Sequence, residues 1–348
     1  MGTRRRRVSV IRSRSKPVKW DDLRMEFISK CTADTISNAA QALKDGHLVA
    51  FPTETVYGLG ADATNKKAVS RIYSVKGRPS DHPLIVHISS INKLADWATD
   101  IPEYAIKLAR EFWPGPMTLI LPRKELAKDF ITGGQNNVGL RVPAQSIALA
   151  LLGKFEAIGG QGIAAPSANR FGAVSPTTAK AVGEEIGDYL GLDDLVLDGG
   201  QCLVGIESTI IDCTGLAPKI LRPGAITEEM IVEALNEKPE YIEGKSNIKA
   251  SGLMDSHYAP KAKVILDQIP QPGDGLVALS SIDTPVGVIR IASPENEDEF
   301  ARVLYASLHQ ADKMNLARIF VIQPQDNGIS FAIRERLSRA AHSDLHSN

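Results

Sequence analysis

The sequence predicts an α/β or α+β protein: a sheet with helices packed on it, then a second, smaller α/β unit. Three observations predict it. Helical and strand-like segments alternate irregularly as far as Leu235, which argues against a barrel of regular repeats. The pattern dissolves from Glu237 to Ala259, a polar stretch holding Pro239, Gly244 and Gly252. Order then returns over roughly 80 residues, enough for a small domain. A chain of 348 residues accommodates two domains or one large one.

From Asp34 to Leu48 the apolar residues Ile36, Ala39, Ala40 and Leu43 recur at helical spacing. His47 to Phe51 reads as a short buried strand ended by Pro52. Val69, Ile72 and Tyr73 mark a helix that stops at Gly77-Arg78-Pro79. Leu84 to Ile88 is strand-like, 103–113 helical, and Met117 to Leu121 and Val138 to Val142 strand-like again. Ile210 to Asp212 and Ile220 to Arg222 form two more strands around the turn Thr214-Gly215. Beyond the polar stretch come strands at Lys263 to Leu266, Leu276 to Leu279, Val286 to Ile289 and Ile319 to Ile322. Helices span Asp298 to Ala311 and Ile333 to Ala341.

Hydrophobic residues make up 43% and charged residues 23%, which excludes fibrous and wholly disordered classes. No apolar run reaches about 18 residues, so no membrane span is expected. Cys31, Cys202 and Cys213 are scattered, which disfavours a disulfide framework or a cysteine zinc site and fits a reducing cytoplasm. The net charge of −1 includes eight basic and no acidic side chains within residues 1–20, so the remainder carries −9. A general nucleic-acid-coating protein is expected to show the opposite sign. Residues 1–24 are set aside as a basic leader, disordered or not native, because periodic structure begins directly after Met25.

The common nucleotide and hydrolase motifs fail. Gly244-Lys245-Ser246 has a Walker ending, but Pro239 stands where the first glycine is required. Gly58-Leu59-Gly60 lacks a third glycine, since Ala63 occupies its place. The seven histidines do not cluster at ligand spacing, and no metal site is expected. What remains is a set of basic and hydroxyl residues at strand ends. Phe51 to Gly60 leaves a strand, stays polar and ends in glycines, which suits a ligand or an ordinary turn. Lys76-Gly77-Arg78-Pro79 sits at a helix C-terminus, where cations either complement the helix end or face phosphates. His87 lies inside an apolar strand, usually a core position. Arg141, in Gly139-Leu140-Arg141-Val142, alternates with apolar neighbours and needs water or an anion. Arg222 repeats that arrangement, and Ser167-Ala168-Asn169 and Glu207-Ser208-Thr209 are polar turns at strand ends. Together they suit an anionic ligand held by side chains.

In order and spacing, Phe51 to Gly60, Lys76-Gly77-Arg78-Pro79 with Pro83-Leu84 and His87, Ser167-x-Asn169, Ser208 to Asp212 and Leu221 to Gly224 resemble the YrdC-like domain of threonylcarbamoyl-AMP synthases. The match runs from about Met25 to Leu235. His257-Tyr258-Ala259-Pro260 and the trailing unit resemble the family's long form, with a linker and a C-terminal domain. The resemblance implies a twisted open mixed sheet with helices around a large, positively lined cavity, and a smaller Rossmann-like domain. It divides the chain into a leader (1–24), a catalytic domain (25–236), a linker or lid (237–261) and a C-terminal domain (262–348).

The implied reaction joins L-threonine, bicarbonate and ATP into threonylcarbamoyl-AMP and pyrophosphate. The product passes to a tRNA threonylcarbamoyl transferase complex, with a weak contact to tRNA left open. By the same resemblance Lys76 and Arg78 are catalytic and bind ATP, whose Mg²⁺ arrives with it. Ser167, Asn169, Ser175, Arg222 and Tyr258 hold ATP, with His82 and Asn137 nearby. His82 stands where the family often has Asn. Thr55, His87, Arg141 and Ser208 hold threonine, Arg141 taking its carboxylate. The alternative is a double-stranded RNA or tRNA binder without turnover, against which the −9 balance argues. A hydrogenase-maturation carbamoyltransferase is excluded by chain length and the scattered cysteines.

Overall fold

A computed structural model describes residues 28–241, 248–249, 258–325 and 328–342. The leader with Met25, and most of the polar stretch with His257, lie outside the described residues. The first sheet has eleven strands: β1 (Ile28–Lys30), β2 (Val49–Phe51), β3 (Gly58–Asp62), β4 (Ile85–His87), β5 (Met117–Pro122), β6 (Asn137–Arg141), β7 (Ile163–Ala164), β8 (Leu195–Asp198), β9 (Thr209–Asp212), β10 (Lys219–Arg222) and β11 (Glu240–Tyr241). Their order is β1-β8-β2-β3-β7-β4-β6-β5-β9-β10-β11, with parallel and antiparallel pairs mixed. The second sheet is wholly parallel. It orders β12 (Lys263–Leu266), β13 (Gly275–Val277), β14 (Ile289–Ala292) and β15 (Arg318–Val321) as β12-β15-β13-β14.

The longer helices are α1 (Ala33–Lys44), α2 (Lys66–Lys76), α3 (Glu103–Phe112), α4 (Ser146–Ala157), α5 (Ala179–Ile186), α6 (Glu228–Leu235), α7 (Glu297–Lys313) and α8 (Ile329–Ala341). In α1, Ala39, Ala40 and Leu43 form the buried stripe that the spacing predicts. Thr32 caps it reciprocally with Thr35, an arrangement worth about 1 kcal/mol. Helix α2 ends at Gly77 with φ 63°, a left-handed conformation that favours glycine.

Two expectations are corrected. Gly58 to Asp62 is a strand folded back on β2, not a turn into a helix. A Cβ at Gly60 would meet Ile163 at 2.8 Å and Phe51 at 2.9 Å, so this glycine serves sheet packing. Strand β14 starts at Ile289, because Val286 is exposed and Gly287 turns at φ 80°.

The register gathers one edge of the first sheet. His87 at the end of β4 lies opposite Arg141 at the end of β6, and the two strands run parallel. Strand β5 runs antiparallel to β6, and β9 runs parallel to β5, so both begin at that edge. Strand β10 returns antiparallel to β9 and ends there at Arg222. Residues up to 135 positions apart in the chain therefore share one rim, His87 and Arg222 being the extremes.

The second unit packs against that rim. Val56, Val174 and Ile206 belong to the same apolar cluster as Phe300, Leu304, Leu308 and Leu337. Gly205 (φ 85°) permits close contact with α7, since a Cβ there would lie 2.4 Å from the Arg302 Cα. Arg302 Nε donates to the Leu203 carbonyl at 2.9 Å, and Lys313 pairs with Glu184 on α5 at 2.8 Å.

Candidate functional site

The rim encloses a cavity of about 50 Å³. Thr55, His87, Arg141 and Ser208 border it, as do Arg78, Ser167, Arg222 and Tyr258. The remaining predicted residues take other places. The cavity is smaller than the large one that the resemblance implied, and small beside the roughly 300 Å³ or more of a typical ligand pocket. Tyr258, fully buried, forms one wall and stacks on Tyr305 of α7 with centroids 5.5 Å apart.

Arg141 has the anionic partner its burial demands, and that partner is in the protein. Its Nη2 pairs with Glu54 Oε1 at 2.6 Å, Nη1 donates to Thr55 Oγ1 at 3.0 Å, and Nε to the Gly115 carbonyl at 3.3 Å. The other Glu54 oxygen accepts from the Ala144 amide at 3.0 Å. Arg222 Nη2 donates to the Ser208 carbonyl at 2.8 Å and hydroxyl at 3.1 Å, and that hydroxyl also bonds Thr118 at 2.8 Å. Arg78 donates to the Pro83 carbonyl at 3.1 Å and lies 5.8 Å from the Phe171 ring centroid. Burial pushes its pKa down to about 10, still a cation at neutral pH.

Lys76 does not border the cavity. Its ammonium donates to the carbonyls of Ser167 at 2.7 Å and Asn169 at 2.5 Å, tying the loop that carries the cavity hydroxyl. Burial, then the neighbouring Arg78, holds its pKa well below the ordinary lysine range. Asn169 is buried beside it and donates through Nδ2 to the carbonyls of Arg170 and Ala173. Ser175 is set back, its hydroxyl donating to Glu207 at 2.7 Å. His82 is half-buried and meets the Phe171 ring edge-on at 5.5 Å.

Asn137 lies apart from this cavity. It opens β6 while Arg141 closes it, and at about 3.3 Å per residue some 13 Å separates them. Asn137 lines a different, smaller void with Pro83, Thr132 and Lys249. Two residues without an assigned role are central instead. Glu207 is a buried carboxylate at the cavity wall, and Glu54 is a buried carboxylate paired with the cavity's Arg141. The only sequence sign of them is an acid set among hydroxyls at the end or entry of a buried strand.

His87 is buried, edge-on to Phe51. Burial and then Arg141 push its pKa down to about 3, so it is neutral near pH 7. Unfolding lets it take a proton below its ordinary pKa of 6.5. The folded-state pKa is the lower one, so the native state loses stability as pH falls from 6.5 toward about 3. The slope is up to about 1.4 kcal/mol per pH unit. Thermal unfolding between about pH 7 and 5 should show it in the native chain and a flatter response in His87→Gln. Equal slopes would exclude His87 as the titrating group.

The geometry has counterparts in known proteins. A family model described as threonylcarbamoyl-AMP synthase, C-terminal domain, matches residues 226–342, and one described as telomere recombination matches residues 41–224. A threonylcarbamoyl-AMP synthase of Pyrococcus abyssi is 41% identical over 322 residues, 87% of this chain and 93% of that one. The chain belongs to the threonylcarbamoyl-AMP synthase family. A second family member, from Bacillus subtilis, is 38% identical over 88% of this chain and 92% of its own. The crystal structure of P. abyssi Sua5 complexed with L-threonine superposes with a TM-score of 0.81 at 37% identity, covering 90% of this chain and 96% of that one. The α/β fold expected of the family, with its large mixed sheet and second parallel sheet, is the one observed. Among the described residues, no helix is long and apolar enough to cross a membrane.

Proposed function

We propose that this chain condenses L-threonine, bicarbonate and ATP to threonylcarbamoyl-AMP and pyrophosphate. The observation that carries it is that Arg78, Arg141 and Arg222 converge on one buried cavity with the hydroxyls of Thr55, Ser167 and Ser208 between them. Three cations match a substrate carboxylate together with a triphosphate. Threonine's neutral amine takes up bicarbonate-derived carbon dioxide to give a carbamate. A carbamate oxygen attacks the α-phosphorus in line, the bond to the β-phosphate oxygen breaks, and pyrophosphate leaves with that oxygen. No side-chain nucleophile takes part, so positioning and charge stabilisation supply the catalysis.

Arg141 takes the threonine carboxylate. Three of a guanidinium's five N–H groups go to Glu54, Thr55 and Gly115, which holds the fork rigid and leaves donors for a ligand. Neutral His87 and the hydroxyls of Thr55 and Ser208 line the amino-acid end. Arg78 and Arg222 face the phosphates, and Mg²⁺ enters as part of the nucleotide substrate. Lys76 acts on the nucleotide chiefly by fixing the loop of Ser167 and Asn169. The cavity must widen to admit ATP. The product supplies a transferase complex that modifies tRNA, a role set in the cytoplasm. RNA binding as the main role has no support in a body carrying −9.

Pyrophosphate release by the purified chain is the test. It should require ATP, threonine and bicarbonate together. Equal release without threonine would exclude the synthase assignment.

A further inference from the structure

Glu207 places a carboxylate in the wall of a cavity otherwise rich in arginine. Uncompensated, it would repel a triphosphate. Its compensation comes from the second unit. Tyr305 of α7 donates to Oε2 at 2.8 Å, and Arg336 of α8 donates through Nε to the same oxygen at 3.1 Å. Oε1 accepts from Ser175. Arg336 reaches further: Nη2 donates to the carbonyl of Pro223, the residue after Arg222, at 2.9 Å, and Nη1 to Glu335. Its guanidinium lies 5.6 Å from the Tyr258 ring centroid.

This is not how the rest of the contact between the units is built. Elsewhere it uses apolar packing, the exposed Arg302–Leu203 hydrogen bond and two partly exposed pairs, Lys313–Glu184 and His309–Glu185. Arg336 is 0% exposed, and burying a guanidinium costs several kcal/mol, roughly, unless it is fully paired.

We propose that Arg336 and Tyr305 are positioning residues of the synthase site: they neutralise Glu207 and hold it on Ser175, so that nucleotide phosphates meet Arg78 and Arg222 without an opposing charge. The proposal rests on the synthase assignment above. Glu207 stays ionised: burial alone would raise its pKa, but Arg336 and Arg222, with the hydrogen bonds from Ser175 and Tyr305, hold it at about 2. The second unit is therefore part of the nucleotide site and not only a support for it.

The test is steady-state pyrophosphate release by the full chain, with thermal unfolding measured alongside. Arg336→Met keeps length and removes charge, and should raise the KM for ATP at least about tenfold. In a Glu207→Gln background the same change should raise it less than about threefold, because the opposing charge is gone. Tyr305→Phe, which deletes one donor, should raise it about threefold or more. A purely structural clamp would lower the melting temperature of Arg336→Met and leave the ATP KM within about twofold of wild type. That result, or an undiminished penalty in the Glu207→Gln background, overturns the proposal. Should Arg336→Met not fold, Tyr305→Phe decides, a smaller rise than threefold overturning the proposal. Wild-type protein without threonine-dependent turnover would instead defeat the synthase assignment itself.

Discussion

Arg141→Ala is expected to lose at least about 100-fold in kcat/KM for threonine. The residue is 4% exposed and paired at 2.6 Å with a carboxylate that is itself 6% exposed. Removing it strands the Glu54 charge, at a cost of about 3–5 kcal/mol, and empties the place assigned to the substrate carboxylate. Stability and activity would fall together, so a second variant separates them. Arg141→Lys keeps the charge but not the planar fork that spans Glu54, Thr55 and Gly115. It should fold and still show a strongly raised threonine KM. A threonine KM near wild type in that variant would remove Arg141 from the substrate-binding role.

Lys76→Ala and Arg78→Ala are each expected to cut kcat/KM for ATP by at least about 100-fold, for different reasons. Arg78 borders the cavity, and its loss removes a phosphate-facing charge. Lys76 instead spans the carbonyls of Ser167 and Asn169, and its loss leaves both acceptors buried and the loop unanchored. The melting temperature should therefore fall more in Lys76→Ala. Near-wild-type turnover in both variants would exclude the phosphate assignment.

The segments legible in the sequence are those long enough to show a period. The stripe Ala39, Ala40, Leu43 locates α1, and Phe300, Leu304, Leu308 locates α7. Strand β7 has two residues and no period to show. Strand β3, Gly-Leu-Gly-Ala-Asp, has no β-branched residue and looks like a turn until its antiparallel pairing with β2 is seen. Helix α4 is apolar around most of its girth, so its face is not marked. At the site the cations were visible because a buried-strand arginine is conspicuous. Their carboxylate partners were not: Glu54 meets Arg141 across 87 positions and Glu207 meets Arg336 across 129. Spacing along the chain carries no trace of such pairs.

The apolar cluster that Val56, Val174 and Ile206 share with α7 and α8 bears on dissection of the chain. A fragment ending before β12 would carry those three side chains, and a Glu207 stripped of Arg336 and Tyr305, on a newly wetted surface. Such a fragment would tend to self-associate, because contiguous greasy surface seeks cover. Its faults could not then be assigned to missing chemistry. Point substitutions within the whole polypeptide are the cleaner instrument for learning what each half contributes.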